Sequence, residues 1–117
     1  MEQLMERIVK ILDDKKAIDI NVLDIRKLTT MADYFVICSG TSSPHIKALS
    51  DELDEKLSED GISFLGKEGF QTANWVLMDY DSVIVHIFNE ETREFYSIEN
   101  LWADAKEVDI TEFIKEN

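Results

Sequence analysis

The sequence predicts an α/β fold: one domain with a mixed sheet of about five strands and flanking helices. Three observations carry this. Residues 34–68 run apolar strand, tight loop, amphipathic helix, strand, the order of a βαβ unit, which favours a parallel pairing. Two apolar runs at 74–79 and 83–88 are separated only by a short polar turn, as in a hairpin. The composition, 44% apolar and 32% charged over 117 residues, is that of a globular chain. A chain of this length buries roughly two-thirds of its unfolded surface, enough for one core without metals or disulfides. We therefore take 1–117 as a single domain.

The elements follow in order. Leu4, Ile8, Ile11 and Leu12 recur at helical spacing, predicting a first helix over 2–15. Residues 18–25 alternate and then slip at Leu23, a strand with a bulge. Residues 34–38, Tyr-Phe-Val-Ile-Cys, read as a buried central strand. Ser43 before Pro44 is a helix start, with Ile46, Leu49, Leu53 and Leu57 on one face and Gly61 as the stop. Residues 63–67 read as a third strand, and Gly66 and Gly69 flank Lys67 and Glu68 in a connection. Phe95, Ile98, Leu101 and Trp102 predict a short helix across 93–102. Asp109 and Glu112 have capping-box spacing for a last acidic helix.

If Asp81 and Ser82 form a two-residue turn, Tyr80 pairs with Val83 and each preceding residue with its mirror, out to Trp75 with Phe88. Side chains alternate between faces. One face then carries Val76, Met78, Tyr80, Val83, Val85 and Ile87, which is core. The other carries Trp75, Leu77, Asp79, Ile84, His86 and Phe88. Aromatics mixed with an acid and an imidazole, if left uncovered, resemble the centre of a protein interface; helices over this face would make it a second core.

The net charge is −13, from 12 basic and 25 acidic residues spread along the chain. With no basic cluster, direct nucleic-acid recognition is not expected, because phosphate binding needs grouped Lys and Arg. An acidic body attracts basic proteins; simple solubility is the plainer reading. Cys38 is the single cysteine, so no internal disulfide forms, and its apolar run predicts a buried, inert thiol. An acidic N-terminal stretch and the absence of a roughly 20-residue apolar run predict a cytoplasmic protein with no membrane span.

Catalytic signals are weak. His45 and His86 are the two histidines, and neither has a His or Cys partner at ligand spacing. The loop Gly40, Thr41, Ser42, Ser43 sits before a helix, where backbone amides can meet phosphate, but it lacks the lysine of a P-loop. Asp79 and Asp81 form a DxD, a Mg²⁺-holding spacing, yet hairpin turns want Asp for its own backbone hydrogen bonds. We expect no catalytic, cofactor or metal site. The alternative is a nucleotidyltransferase-like enzyme using Asp79, Asp81 and the 40–43 loop. A third class is a homodimer of the free protein, paired through its apolar face.

The segment Ala32-Asp-Tyr-Phe-Val-Ile-Cys-Ser-Gly-Thr-Ser-Ser-Pro-His-Ile-Lys-Ala48 resembles the central motif of the ribosomal silencing factor family, also called the RsfS or Iojap family. So do Trp75-Val-Leu-Met-Asp-Tyr with Val83-Ile-Val-His-Ile-Phe88, and Arg93-Glu-Phe-Tyr-Ser-Ile-Glu-Asn-Leu-Trp-Ala-Asp-Ala105. The resemblance covers 1–105 and leaves an acidic tail at 106–117. One departure is the hairpin turn, Asp81-Ser82 where the family usually has Gly-Asp. The resemblance implies a nucleotidyltransferase-like topology without the catalytic machinery. It also implies a binding function: attachment to ribosomal protein fourteen of the large subunit (uL14), steric exclusion of the small subunit, and repression of translation when nutrients are scarce. The residues expected to make the contact are Lys67, Glu68, Trp75, Leu77, Asp79, His86, Phe88, Tyr96 and Trp102. Leu101 is assigned to packing.

Overall fold

The computed structural model describes residues 2–114. Helix α1 (Glu2–Asp14) buries Met5, Ile8, Val9, Ile11 and Leu12. It ends because Lys16 turns left-handed (φ 68°), letting Ala17 N–H reach back to Leu12 O at 2.9 Å. Strand β1 (Ile18–Asp24) is bulged, but not at Leu23, which pairs in regular register with Phe35: the register shifts between Ile18 and Asn21, with Asp19 at φ 51°. Strand β2 (Tyr34–Ser39) is buried along its whole length.

Helix α2 (Ser43–Glu59) starts one residue earlier than Ser43 would set it. Ser42 is the cap, its Oγ accepting from His45 N, and Pro44 fits the first turn, where no N–H is needed. Gly61, at φ 81°, closes the other end, and Ile62 N–H donates to Leu57 O.

Strand β3 is Gly66–Glu68, so Lys67 and Glu68 lie in the strand and not in a connection after it. Strands β4 (Trp75–Asp79) and β5 (Val83–Phe88) pair Trp75 with Phe88 through Asp79 with Ile84, the register expected from a turn at Asp81 and Ser82. Asp81 takes φ 72° without being glycine. Its N–H donates to Asp79 Oδ1 at 2.8 Å, and Ser82 N–H to Tyr80 O, so the side chain of Asp79 holds the turn closed.

The sheet order is β3-β4-β5-β2-β1-β6. Among the described residues the single parallel pair is β2 with β5, not β2 with β3. The crossover through α2 carries the chain over two strand positions, and the hairpin return of β4 and β5 fills the gap. Strand β6 (Lys106–Glu107) pairs with the edge of β1. It lies in the stretch that the motifs leave out, which therefore contributes a sixth strand and a buried Ile110. Asp109 accepts both the N–H and the hydroxyl of Thr111, starting a single 3₁₀ turn at Thr111–Phe113 in place of a capping box; residues 115–117 of the expected last helix lie outside the described residues.

The helix expected across 93–102 is two helices, α3 (Glu90–Tyr96) and α4 (Ile98–Leu101). Ser97 between them is left-handed (φ 46°), which breaks the periodicity. Ile98 is buried, whereas Phe95 is 81% and Leu101 77% exposed, so Leu101 is not a packing residue.

Helices α1 and α2 cover one face of the sheet, packing on Val22, Tyr34, Val36, Cys38, Val76, Met78, Val85 and Ile87. Burial pushes the Cys38 thiol up to about 12, so the reactive thiolate is absent at neutral pH.

Gly69 positions the start of β4. It sits at φ 80°, and a Cβ there would lie 2.0 Å from the Trp75 carbonyl oxygen. Gly69→Ala is expected to cost about 2 kcal/mol or more. Chemical denaturation checks this; a variant as stable as the parent would mean the loop re-routes freely.

Candidate protein-binding face

On β4 the side chains alternate strictly: Val76 and Met78 point into the helix-covered core, while Trp75, Leu77 and Asp79 stand half-exposed on the other face. Glu68 of β3 lies directly beside Leu77 on that face and is exposed. Lys67 pairs with Met78, which puts it on the opposite face, its Nζ over the rings of Phe70 (4.3 Å) and Phe64 (5.3 Å). Lys67 is therefore removed from the expected contact set: one residue of strand parity decides the side.

His86 and Phe88, also expected to touch a partner, are 3% and 0% exposed. Strand β5 is an inner strand of the sheet, and α4, Trp102 and Trp75 cover this part of it. Their role is to hold Trp75. The indole stacks on Phe88 (centroids 5.0 Å, planes 27° apart), and its Nε1–H donates to His86 Nδ1 at 3.1 Å. Tyr96 packs on its other flank at 4.9 Å. Phe35 meets His86 edge-on at 4.8 Å and Trp102 at 5.1 Å. A continuous aromatic row thus runs from Tyr96 through Trp75, His86 and Phe35 to Trp102. Its middle is buried; Tyr96 is exposed, and Trp75 and Trp102 are half-exposed.

Because Nδ1 of His86 accepts the indole proton, its own proton sits on Nε2, which is buried with no hydrogen-bond partner among the described residues. Burial lowers this histidine from 6.5 to about 4, so the ring is neutral at physiological pH. Between those values the unfolded chain takes a proton that the native state refuses. Stability is thus intact above pH 6.5 and falls as pH drops toward 4, by about 3 kcal/mol from this group. Urea titrations at a series of pH values should show this slope in the parent and its loss in His86→Phe; equal slopes would contradict it.

Arg93 fastens the cover to the sheet, and sequence reasoning gave it no role beyond its motif. From α3 its Nη1 donates to Ser39 Oγ, its Nη2 to the Asp19 carbonyl at the β1 bulge, and Nε and Nη2 to the two carboxylate oxygens of Glu99 in α4. The Arg93 hydrogen bonds, with that from Asn21, hold Glu99 below the usual carboxylate range. Asn89 begins the same cover: its Oδ1 caps Thr92 N while its amide donates to Asn74, ahead of Trp75.

The other sequence candidates are accounted for by local structure. The imidazole of His45 accepts from Thr41 N at 2.9 Å through Nδ1, and its Nε2 faces Lys15 O, tying the 40–43 loop to the end of α1. Asp79 is engaged by its turn. Among the described residues no three His, Cys, Asp or Glu side chains gather as a metal-ligand set, and no helix is long and apolar enough to cross a membrane.

Comparison with known proteins agrees with this architecture. The sequence model of the family described as "Ribosomal silencing factor during starvation" matches residues 1–117. The ribosomal silencing factor RsfS of Bacillus subtilis is 42% identical over 84% of this chain and 83% of its own length. A mouse protein named mitochondrial assembly of ribosomal large subunit protein 1 is 32% identical over 84% of this chain and 44% of its own. A crystal structure of a Chromobacterium violaceum protein superposes with a TM-score of 0.86 at 34% identity, covering 88% of this chain and 86% of that one. This chain belongs to the ribosomal silencing factor family.

Proposed function

We propose that this protein binds the large ribosomal subunit through protein uL14, and that its bulk then blocks docking of the small subunit, repressing translation under nutrient limitation in the cytoplasm. The observation that carries this reading is Trp75: a large aromatic, half-exposed on the sheet and held in one orientation by His86, Phe88 and Tyr96. A preorganised aromatic of this kind is the usual energetic centre of a protein interface. Leu77, Tyr96 and Trp102 extend the apolar area, and Glu68 and Asp79 border it. The net charge of −13 favours a basic protein surface over the RNA around it. Names of relatives that refer to ribosomal silencing and to the large subunit support the choice of target. Occupancy alone would produce the effect, so no chemical step is required.

The test is sedimentation with purified large subunits, with and without added small subunits. Retention on the large subunit and loss of joined particles is the expected result. Co-migration with joined ribosomes would defeat the steric mechanism.

A further inference from the structure

Beside Trp75 lies an open cleft of about 530 Å³ between the loop before β4 and helix α3. Its walls include Trp75, Tyr96 and Phe95, with Glu91 and Thr92 from the first turn of α3. Three features of it stand together. Phe95 is 81% exposed, a large apolar ring left in water, and it stands perpendicular to the Tyr96 ring with centroids 5.1 Å apart. The Glu91 carboxylate makes no hydrogen bond or ion pair with any described residue, whereas Glu99 of the same cover is fully engaged by Arg93. No residue lining the cleft is basic.

From these we infer that the cleft is a receptor for an arginine side chain of the basic ribosomal partner, its guanidinium lying against the Phe95, Tyr96 and Trp75 rings and its N–H groups donating to Glu91. Arginine fits better than lysine. A flat, weakly hydrated guanidinium can lie on an aromatic face and still present donors in its plane to a carboxylate, which a compact ammonium cannot do at once. The remaining charge of the domain favours the same occupant. This names the partner chemistry of the face described above and, for its biological setting, rests on that reading.

Two measurements separate the inference from the reading. In the first, the peptide Gly-Gly-Arg-Gly-Gly is titrated into the free, full-length protein and followed by NMR, with the uncharged citrulline peptide as control. Saturable shifts of the Trp75 indole N–H and of the Phe95 and Tyr96 ring protons, seen with arginine, absent with citrulline and reduced severalfold in Glu91→Gln, are expected. Equal responses to both peptides, or shifts only elsewhere on the surface, overturn it. In the second, Glu91→Gln and Phe95→Ala, both at exposed positions and so expected to fold, are compared with the parent for binding to large subunits. A loss of about fivefold each is expected. Parent-like binding by both variants would end the arginine assignment and leave the ribosome-binding proposal standing. Failure of the parent itself to bind would end that proposal, and the peptide titration would still decide whether the cleft takes arginine.

Discussion

Trp75→Ala is expected to weaken binding to large ribosomal subunits by about 30-fold or more, the equivalent of about 2 kcal/mol. The truncation removes the exposed ring and unseats what surrounds it. Phe88 loses the indole stacked on it and keeps His86, His86 Nδ1 loses its donor, and Tyr96 loses the surface it leans on. The helix-covered core on the other side of the sheet is untouched, because Trp75 takes no part in it, so the fold should survive. Trp75→Phe keeps the aromatic area but not the N–H and should fall between parent and alanine variant. Sedimentation reads the affinity, and cooperative urea unfolding confirms the fold. An alanine variant that folds and binds like the parent would show that this face is not the interface.

Arg93→Ala is expected to cost about 3 kcal/mol of stability, because one guanidinium donates four hydrogen bonds to three groups: Ser39 and the Asp19 carbonyl, both distant in sequence, and the two carboxylate oxygens of Glu99. Its side chain is only 11% exposed and that of Glu99 29%. Removing the cation leaves a half-buried carboxylate with Asn21 alone, and breaking such a pair costs more than forming it contributes. For a domain of this size the melting temperature should fall by about 10 °C or more. Arg93→Lys should recover less than half of the loss, since a single ammonium cannot reach β1, β2 and α4 together. A fall of only a degree or two in Arg93→Ala would show that apolar packing of Ile98 and Trp102 holds the cover unaided.

The contrast between these two residues shows what was legible in the sequence. The hairpin register followed from local information alone: a two-residue polar turn and alternating side chains fix which residues oppose each other. Trp75, Leu77 and Asp79 were therefore placed on one face correctly. The side taken by Lys67, expected only as a contact from the connection before β4, was not readable, because it depends on how β3 aligns with β4, and no short turn joins them to set that alignment. His86 and Phe88 alternate onto the same face as Trp75, but whether that face is covered depends on α4 and Trp102 folding back over β5. The break at Ser97 was hidden for a related reason. A left-handed serine has no composition signal, and the apolar spacing across it imitates one helix. Arg93 was invisible as an anchor because its partners are set by the topology, not by spacing along the chain. The order of strands was half readable: the crossover was evident, but the two strands that enter between its ends come later in the chain.

That insertion has a consequence for how the molecule comes together as it is made. Strand β2 can zip onto β1 as soon as both exist, but its other edge waits for β5, and the pairing of Tyr34 with Val83 closes a very long span of chain. Such a distant contact is slow to find and gives nothing back until it forms. A growing chain that has emerged only through α2 therefore carries an apolar strand with one raw edge, and its unity as a domain arrives late, when the hairpin slots into the centre.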